Sequence, residues 1–577
     1  MAKFLTGVLV GIIVAVLAIV VLGLAISRIF AARQPTIPAD SVLILSLSGD
    51  LPEKAPIEFP LSFLPSTAAP TVRDIWASLR YAATDNRIKA VLLQPYRLAA
   101  GWGKVQEIRQ DLLNFKKSGK PVYALLQSPG SREYYLASVA DKIYLTPDDV
   151  LNVKGFRIAE LYFKNALDKL GISVEVDHIG RYKDAGDIFT RTAMSPETRE
   201  VLSQVVDQIY SSFASAVAQS RHQSPDAVRA LIDQGPFLAA HAKSAGLIDE
   251  TGYEDQIFAS LKRVTRISNL NRVNINTYFR AVPEMGDRIA WLVGEGDIIR
   301  SENETDLESE AVVASGPFIK TIRQVRADNS IKGVILRINS PGGDATASDE
   351  ILRELKLLSK VKPLVISMSD VAASGGYYIA ATGDPIVAYP DTITGSIGVL
   401  YVKPNIHGLF DKLGITEDAV SRGGNADIDS IYAPMSDAAR SKLHESIQEV
   451  YQQFVSSVAD ARKKSFAQID SIAQGRVWMG AQGEQNGLVD RLGGLDEAIS
   501  LIRQRAHLSP SAAIRLIPYP PRRSFVEWLT GSSLAPDLDG DEVTAMRILR
   551  KKIPDLPGPA FMQGGILRIL PYQLLVQ

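Results

Sequence analysis

Three hydrophobic patterns recur along the chain. The first is a single long run: Phe4 to Ile26 contains no charged residue and is rich in Val, Leu, Ile, Ala and Gly. A helix of that length rises roughly 34 Å, enough to cross a bilayer core of about 30 Å. A cleavable signal has an apolar stretch of only about 7–15 residues, so residues 1–33 are expected to be a retained transmembrane anchor. Lys3 precedes the run and Arg28 and Arg33 follow it, so the flanking charges leave its orientation open. The second pattern is short, nearly continuous apolar runs: Val42–Leu47, Val91–Leu93 and Val122–Leu126, then Ile289–Val293, Val334–Ile338 and Leu364–Met368. These predict strands buried on both faces. The third is helical spacing, as in Ala347–Leu358 and the long segments Glu197–Arg221 and Ala438–Lys463. Each long segment follows a Met-Ser pair whose serine supplies an N-cap. Strands alternating with helices imply an α/β protein with parallel sheets and right-handed crossovers.

The patterns also repeat. Asp85-Asn86-Arg87-Ile88-Lys89-Ala90-Val91-Leu92-Leu93 returns 243 residues later as Asp328-Asn329-Ser330-Ile331-Lys332-Gly333-Val334-Ile335-Leu336. The same offset pairs Tyr134-Tyr135 with Tyr377-Tyr378, and Asp168-Lys169-Leu170-Gly171-Ile172 with Asp411-Lys412-Leu413-Gly414-Ile415. After a slip of two, Gly246-Leu247-Ile248-Asp249 matches Gly487-Leu488-Val489-Asp490. A period this long is a duplicated domain rather than a solenoid. The expected organisation is an anchor at 1–33, a first copy at 40–265, a linker at 266–288, a second copy at 289–505 and a Pro-rich tail at 506–577. Glu302–Glu310 reads as a solvated acidic loop. The apolar end of the tail, Ile566–Val576, is left with two readings, packing on the body or meeting the membrane.

Composition then removes whole classes of chemistry. The 577 residues include no cysteine, which excludes disulfide scaffolds, thiolate metal sites and cysteine nucleophiles. The six histidines form no H-E-x-x-H pattern. With 63 basic and 64 acidic residues, the chain lacks the basic excess of a nucleic-acid binder.

Candidate chemistry emerges where the copies diverge. The second copy has Asn339-Ser340-Pro341-Gly342-Gly343-Asp344 after a strand, where the first has Tyr96-Arg97-Leu98-Ala99-Ala100. A Pro-Gly-Gly turn exposes backbone N–H groups and admits a substrate closely. The second copy also has Ala372-Ala373-Ser374-Gly375-Gly376-Tyr377, where the first has Gly130-Ser131-Arg132-Glu133-Tyr134. Ser374 would lie at a helix N-terminus, where the Gly375 N–H can stabilise developing negative charge. The same residues would equally serve as an N-cap beside a helix-packing glycine pair. Ser131 reads as inactive, because Glu133 places a carboxylate where an oxyanion would form. A serine nucleophile needs a base. His407 and His178 are candidates, and so is a lysine, provided it is desolvated, since a free lysine titrates near pH 10.4. Lys183 in Arg181-Tyr182-Lys183-Asp184-Ala185 has no counterpart in Arg422-Gly423-Gly424-Asn425-Ala426. A site using Ser374 and Lys183 would lie between the copies, each supplying one half.

Together the anchor, the duplication, Asn339-Ser340-Pro341-Gly342-Gly343, Ala373-Ser374-Gly375-Gly376-Tyr377 and Thr394-Gly395-Ser396-Ile397-Gly398 resemble the signal peptide peptidase A (protease IV) family in its double-length, membrane-anchored bacterial form. The resemblance implies a tandem Clp-protease/crotonase-like α/β fold and a serine protease with a Ser–Lys dyad. It makes Ser374 the nucleophile, Lys183 the general base and Ser396 the residue that orients the amine, with Gly342 and Gly375 offering oxyanion N–H groups. It further implies no metal or cofactor, a homotetramer, and signal peptides and other apolar peptides as substrates. The implied location is the bacterial inner membrane, with the catalytic body facing the periplasm. One departure is Asp184, where relatives often have a small neutral residue; a carboxylate beside Lys183 favours its ammonium form. Rival readings are a crotonase-like acyl-CoA enzyme, a catalytically degenerate membrane scaffold, and a Ser–His hydrolase using His407.

Overall fold

The computed structural model describes residue 11 and residues 35–54, 70–301, 312–519 and 566–570. Apart from Gly11, the expected anchor lies outside the described residues, as does Glu302–Glu310. Among the described residues no helix is long and apolar enough to cross a membrane.

The first copy contributes strands β1 (Ser41–Gly49), β2 (Ile88–Leu98), β3 (Val122–Leu126), β4 (Lys142–Leu145), β5 (Ser173–Ile179), β6 (Glu250–Thr251) and β7 (Asn271–Asn274). All but β5 form one parallel sheet in the order β6-β4-β3-β2-β1-β7. Every side chain of β3 is buried, as expected of a strand covered on both faces. The second copy repeats the plan with β8 (Asp287–Glu295), β9 (Asp297–Ile299), β10 (Val312–Ala314), β11 (Gly333–Ser340), β12 (Gly342–Asp344), β13 (Leu364–Ala373), β14 (Ile386–Ala388), β15 (Ile393–Gly395), β16 (Val399–Asn405), β17 (Val477–Met479), β18 (Arg491–Leu492) and β19 (Ile514–Tyr519). Its sheet runs β17-β15-β13-β11-β8-β19, with β14 and β18 branching from β13. A last strand, β20 (Ile566–Ile569), joins a third sheet in the order β10-β9-β12-β20-β16-β5.

The copy boundaries differ from the expected ones. Residues 266–288 are not a bare linker: β7 within them adds to the edge of the first sheet beside β1. The start of the tail does the same in the second sheet, where β19 pairs with β8. β7 and β19 each pair parallel with the first strand of their own sheet, so the shared plan runs past Arg505. Asn-Arg-Val-Asn is too polar and too short to register as a strand; only the neighbouring edge makes it one.

Residues shared by the copies prove structural. The principal helices are α1 (Trp102–Lys116), α2 (Ser131–Ala137), α3 (Pro196–Arg221), α4 (Gly375–Ala380) and α5 (Asp437–Arg462). Ser195 and Ser436 cap α3 and α5 by accepting the N–H of Thr198 and Ala439. Near their ends, Arg221 pairs with Asp249 at 2.9 Å and Arg462 with Asp490 at 2.6 Å. Tyr134 and Tyr377 donate their hydroxyls to the carbonyls of Leu247 and Leu488.

The copies are joined by buried charge. Arg337 of β11 is fully buried and donates to Glu53 at 2.7 Å and to Glu107 of α1 at 2.5 Å. Burial opposes ionisation of Glu53, but Arg337 and Lys104 outweigh it and hold its carboxyl below the usual range. Asp370 in β13 accepts the N–H groups of Gly101 and Lys104, capping the start of α1 across the junction. Gly103 is needed there, since a Cβ would stand 2.6 Å from the Ser369 carbonyl oxygen.

Candidate active site

Two chain reversals and one antiparallel ribbon build the site. β13 ends at Ala373 and α4 begins at Gly375, leaving Ser374 between them at φ +54° and ψ −115°. A non-glycine residue there costs of order 1–3 kcal/mol and persists only where its surroundings hold it. The Ser374 N–H donates to the Gly395 carbonyl at 2.8 Å, and its own carbonyl accepts the Tyr378 N–H at 2.8 Å. Gly376 lets the helix start abut β11, for a Cβ would lie 2.5 Å from the Ser340 carbonyl oxygen. Gly375 is the first residue of α4, so its N–H has no acceptor within the helix.

The ribbon brings the other half. β5 of the first copy pairs antiparallel with β16 of the second, from Ser173↔Asn405 to Ile179↔Val399. Continuing that register sets Gly180 and the following loop beside Gly398 and Ser396. The loop is pinned by the Tyr182 N–H donating to the Gln474 carbonyl at 2.7 Å and by the Lys183 N–H donating to Gly180 at 3.0 Å.

Lys183 and Ser374 therefore meet. The Lys183 Nζ donates to Ser374 Oγ at 2.7 Å, to Ser396 Oγ at 3.0 Å and to the Ser396 carbonyl at 3.1 Å. All three residues are fully buried. Ser396 is also at positive φ, +50°, with its N–H on the Arg476 carbonyl at 2.7 Å. The Asp184 carboxylate accepts hydrogen bonds from Thr198 Oγ1 and Ser195 Oγ at the start of α3. Gly342, at φ +104°, follows β11, and its N–H donates to Ser340 Oγ at 3.2 Å. Gly343 must be glycine, since a Cβ would fall 1.9 Å from the Ile298 carbonyl oxygen in the neighbouring strand.

The histidines are elsewhere. His407 is exposed and faces Asp411, and His178 is exposed beside the Gly180 carbonyl. In the first copy, Glu133 accepts the N–H of Leu98 at 2.6 Å and of Gly130 at 2.8 Å, so a carboxylate occupies the backbone donors around Ser131. Two positions escaped the sequence reading. Gly475 and Gly398 form the seat of Lys183: a Cβ at Gly475 would stand 2.6 Å from the lysine's backbone nitrogen, and one at Gly398 3.0 Å from its Cδ. Gly398 closes a motif already singled out, but nothing in the sequence ties Gly475 to a lysine in the other copy.

A buried serine hydroxyl within hydrogen-bonding distance of a lysine amine, where two copies of an α/β domain meet, has the geometry that a serine nucleophile and a base require. Comparison with known proteins gives the family. The chain matches the model of "Peptidase family S49" twice, at residues 114–268 and 356–509. The chloroplastic serine protease SPPA of Arabidopsis thaliana is 34% identical over 85% of this chain and 72% of its own length. Protease 4 of Salmonella typhi is 34% identical over 75% of this chain and 72% of its own length. Protease 4 of Haemophilus influenzae is 31% identical over 80% of this chain and 76% of its own length. A solved ClpP1 mutant from Listeria monocytogenes matches 36% of the chain and 94% of its own at 15% identity, but its TM-score of 0.23 carries no argument. The chain belongs to peptidase family S49 and is a serine peptidase. The acyl-CoA and scaffold readings are not favoured.

Proposed function

We propose that Ser374 and Lys183 are the nucleophile and general base of a peptidase that degrades cleaved signal peptides and other apolar peptides. The observation that carries the assignment is the 2.7 Å hydrogen bond from Lys183 Nζ to Ser374 Oγ, across the copies and sealed from water. To act as a base the amine must be neutral. Lys183 takes the Ser374 proton as Oγ attacks the peptide carbonyl. Ser396 Oγ orients the amine, and the N–H groups of Gly342 and Gly375 stabilise the tetrahedral oxyanion. The protonated lysine then gives its proton to the leaving amine, and a water activated by the same amine hydrolyses the acyl-enzyme. No step calls for a metal or cofactor.

The substrate class follows from kinship. A relative from Enterococcus faecium, 30% identical over 47% of this chain and 79% of its own length, bears the name "Putative signal peptide peptidase SppA". The apolar run at residues 4–26 supports an anchor that would hold the site at the bacterial inner membrane, with the body facing the periplasm. A Clp-protease/crotonase-like fold and homotetrameric assembly complete this reading. The test is hydrolysis of a fluorogenic apolar peptide by Ser374→Ala and Lys183→Ala. Each is expected to lose at least about 10³-fold in kcat, and the double variant no more than either single one. Near-normal turnover by either variant would remove the dyad.

A further inference from the structure

The residue after Gly475 grips the base from the opposite copy. The guanidinium carbon of Arg476 lies 4.6 Å from the ring centroid of Tyr182 in the first copy and 4.7 Å from that of Trp478 in the second. Both distances are within cation–π range, so the cation is wedged between two rings. Its Nη2 also donates to Glu200 at 2.8 Å and to Gln204 at 3.0 Å, both on α3 of the first copy. The Tyr182 hydroxyl donates to the other oxygen of Glu200 at 3.3 Å, which closes the group. The rings are themselves held. Tyr182 packs against the apolar core of the first copy and Trp478 against that of the second, where its Nε1 donates to the Ile472 carbonyl at 2.8 Å.

The main chain of Arg476 reaches the other side of the site. Its carbonyl accepts the Ser396 N–H at 2.7 Å, and Ser396 meets the lysine amine through both its hydroxyl and its carbonyl. A Cβ on Gly395 would stand 2.7 Å from the Trp478 ring and 3.0 Å from the Arg476 carbonyl oxygen, and the Gly395 carbonyl accepts the Ser374 N–H. We infer that Arg476 is a positioning residue for the reaction: its guanidinium, wedged between Tyr182 and Trp478, fixes the loop that carries Lys183, while its carbonyl fixes Ser396. This rests on the Ser–Lys reading above. The ion pair to Glu200 is the lesser part, since Glu200 is 43% exposed and such pairs add little. A planar guanidinium lies flat against both rings and still donates from its edge, which an ammonium cannot do. Without the wedge Tyr182 loses its partner across the junction, and the amine of the next residue is free to leave its 2.7 Å contact with Ser374. A shift of about 1 Å there costs on the order of 10²-fold in rate.

The test is hydrolysis of a fluorogenic apolar peptide by the full chain, with kcat counted per Ser374 that a fluorophosphonate labels to completion, so that misfolded protein drops out. Arg476→Met is expected to lower kcat about tenfold or more and to leave KM within about twofold, because no substrate contact is lost. Tyr182→Leu removes the ring from the other copy and is expected to do the same. Tyr182→Phe keeps the ring and is expected to stay within about threefold of wild type. The double variant Arg476→Met/Tyr182→Leu is expected to lose no more than about threefold beyond the worse single one, since both remove one contact. Wild-type kcat per labelled site in Arg476→Met, or single losses that multiply in the double variant, would overturn the inference. Lys183→Ala in the same assay separates the two failures. Its full turnover sinks the Ser–Lys reading, whereas an inactive Lys183→Ala beside a fully active Arg476→Met sinks only the role of Arg476.

Discussion

Gly475 offers the sharpest test of how the site is assembled, because it lies against the backbone of Lys183, the proposed base, and not against its amine. A Cβ at this position would stand 2.6 Å from both the nitrogen and the Cβ of Lys183, and 2.7 Å from its Cα. Ordinary contact starts at 3.4 Å, so in Gly475→Ala the two segments must separate by about 0.8 Å. Backbone is not the free end of a flexible side chain, and the Lys183 loop is already pinned at Gly180 and Gln474. The positive φ of Gly475, +73°, adds about 1–2 kcal/mol of strain for an L-residue. A displacement of that size would stretch the 2.7 Å bond from Lys183 to Ser374 to the edge of hydrogen-bonding range. Misplacing a catalytic group by about 1 Å costs on the order of 10²-fold in rate. Gly475→Ala is therefore expected to lose about 10²-fold in kcat/KM on a fluorogenic peptide, together with a modest fall in Tm. The same variant should label more slowly with a fluorophosphonate. A lowered Tm with wild-type kcat/KM would refute the reasoning, for it would show that the seat of Lys183 can move without consequence to the base.

The remaining predictions concern the copies and their junction. Arg337→Ala leaves Glu53 and Glu107 buried without their guanidinium and is expected to cost about 3–5 kcal/mol in denaturant unfolding; a cost below about 1 kcal/mol would show that the pair is solvated. Ser396→Ala removes the 3.0 Å contact to the amine and is expected to lower kcat more than it raises KM, whereas Ser131→Ala should leave both unchanged. Asp391 is buried against Gln106, Gln208 and Ser212, and burial pushes its carboxyl up to about 6 despite those hydrogen bonds. The native state then binds the proton more tightly than the unfolded chain, so this group's contribution is full below about pH 4 and is lost as pH rises through 6. The loss is of order 2–3 kcal/mol, read as the difference in the slope of unfolding free energy against pH between wild type and Asp391→Asn; parallel curves would refute it.

How much of this was legible beforehand depends on whether a signal is local. Apolar runs and Met-Ser caps report burial and helix starts within a few residues, and they placed Val122–Leu126 and both long helices to within a residue, and the start of Leu364–Ala373, a strand that runs on past the expected end at Met368. The duplication was equally plain, since it is a comparison of the chain with itself. Divergence between the copies singled out Lys183, which the second copy lacks, and Ser374, whose neighbours Gly375-Gly376 replace the Arg132-Glu133 that follow Ser131 in the first. The edge strands β7 and β19 were not legible: Asn-Arg-Val-Asn has no strand character of its own and pairs only because β1 leaves an open edge.

The sequence by itself determined the class: two α/β copies, no thiol chemistry, and a serine and a lysine divided between them. The tertiary structure alone decided that these two groups meet. Antiparallel pairing of β5 with β16 carries the lysine loop across the junction, and Gly398 and Gly475 leave it room to settle. The same structure set the end of the tail, left with two readings from its composition, into the sheet beside Gly342. The physical reason is common to these cases. Strand addition and close backbone contact depend on which edges and surfaces the rest of the chain leaves open, and a local stretch of sequence carries no record of its distant neighbour.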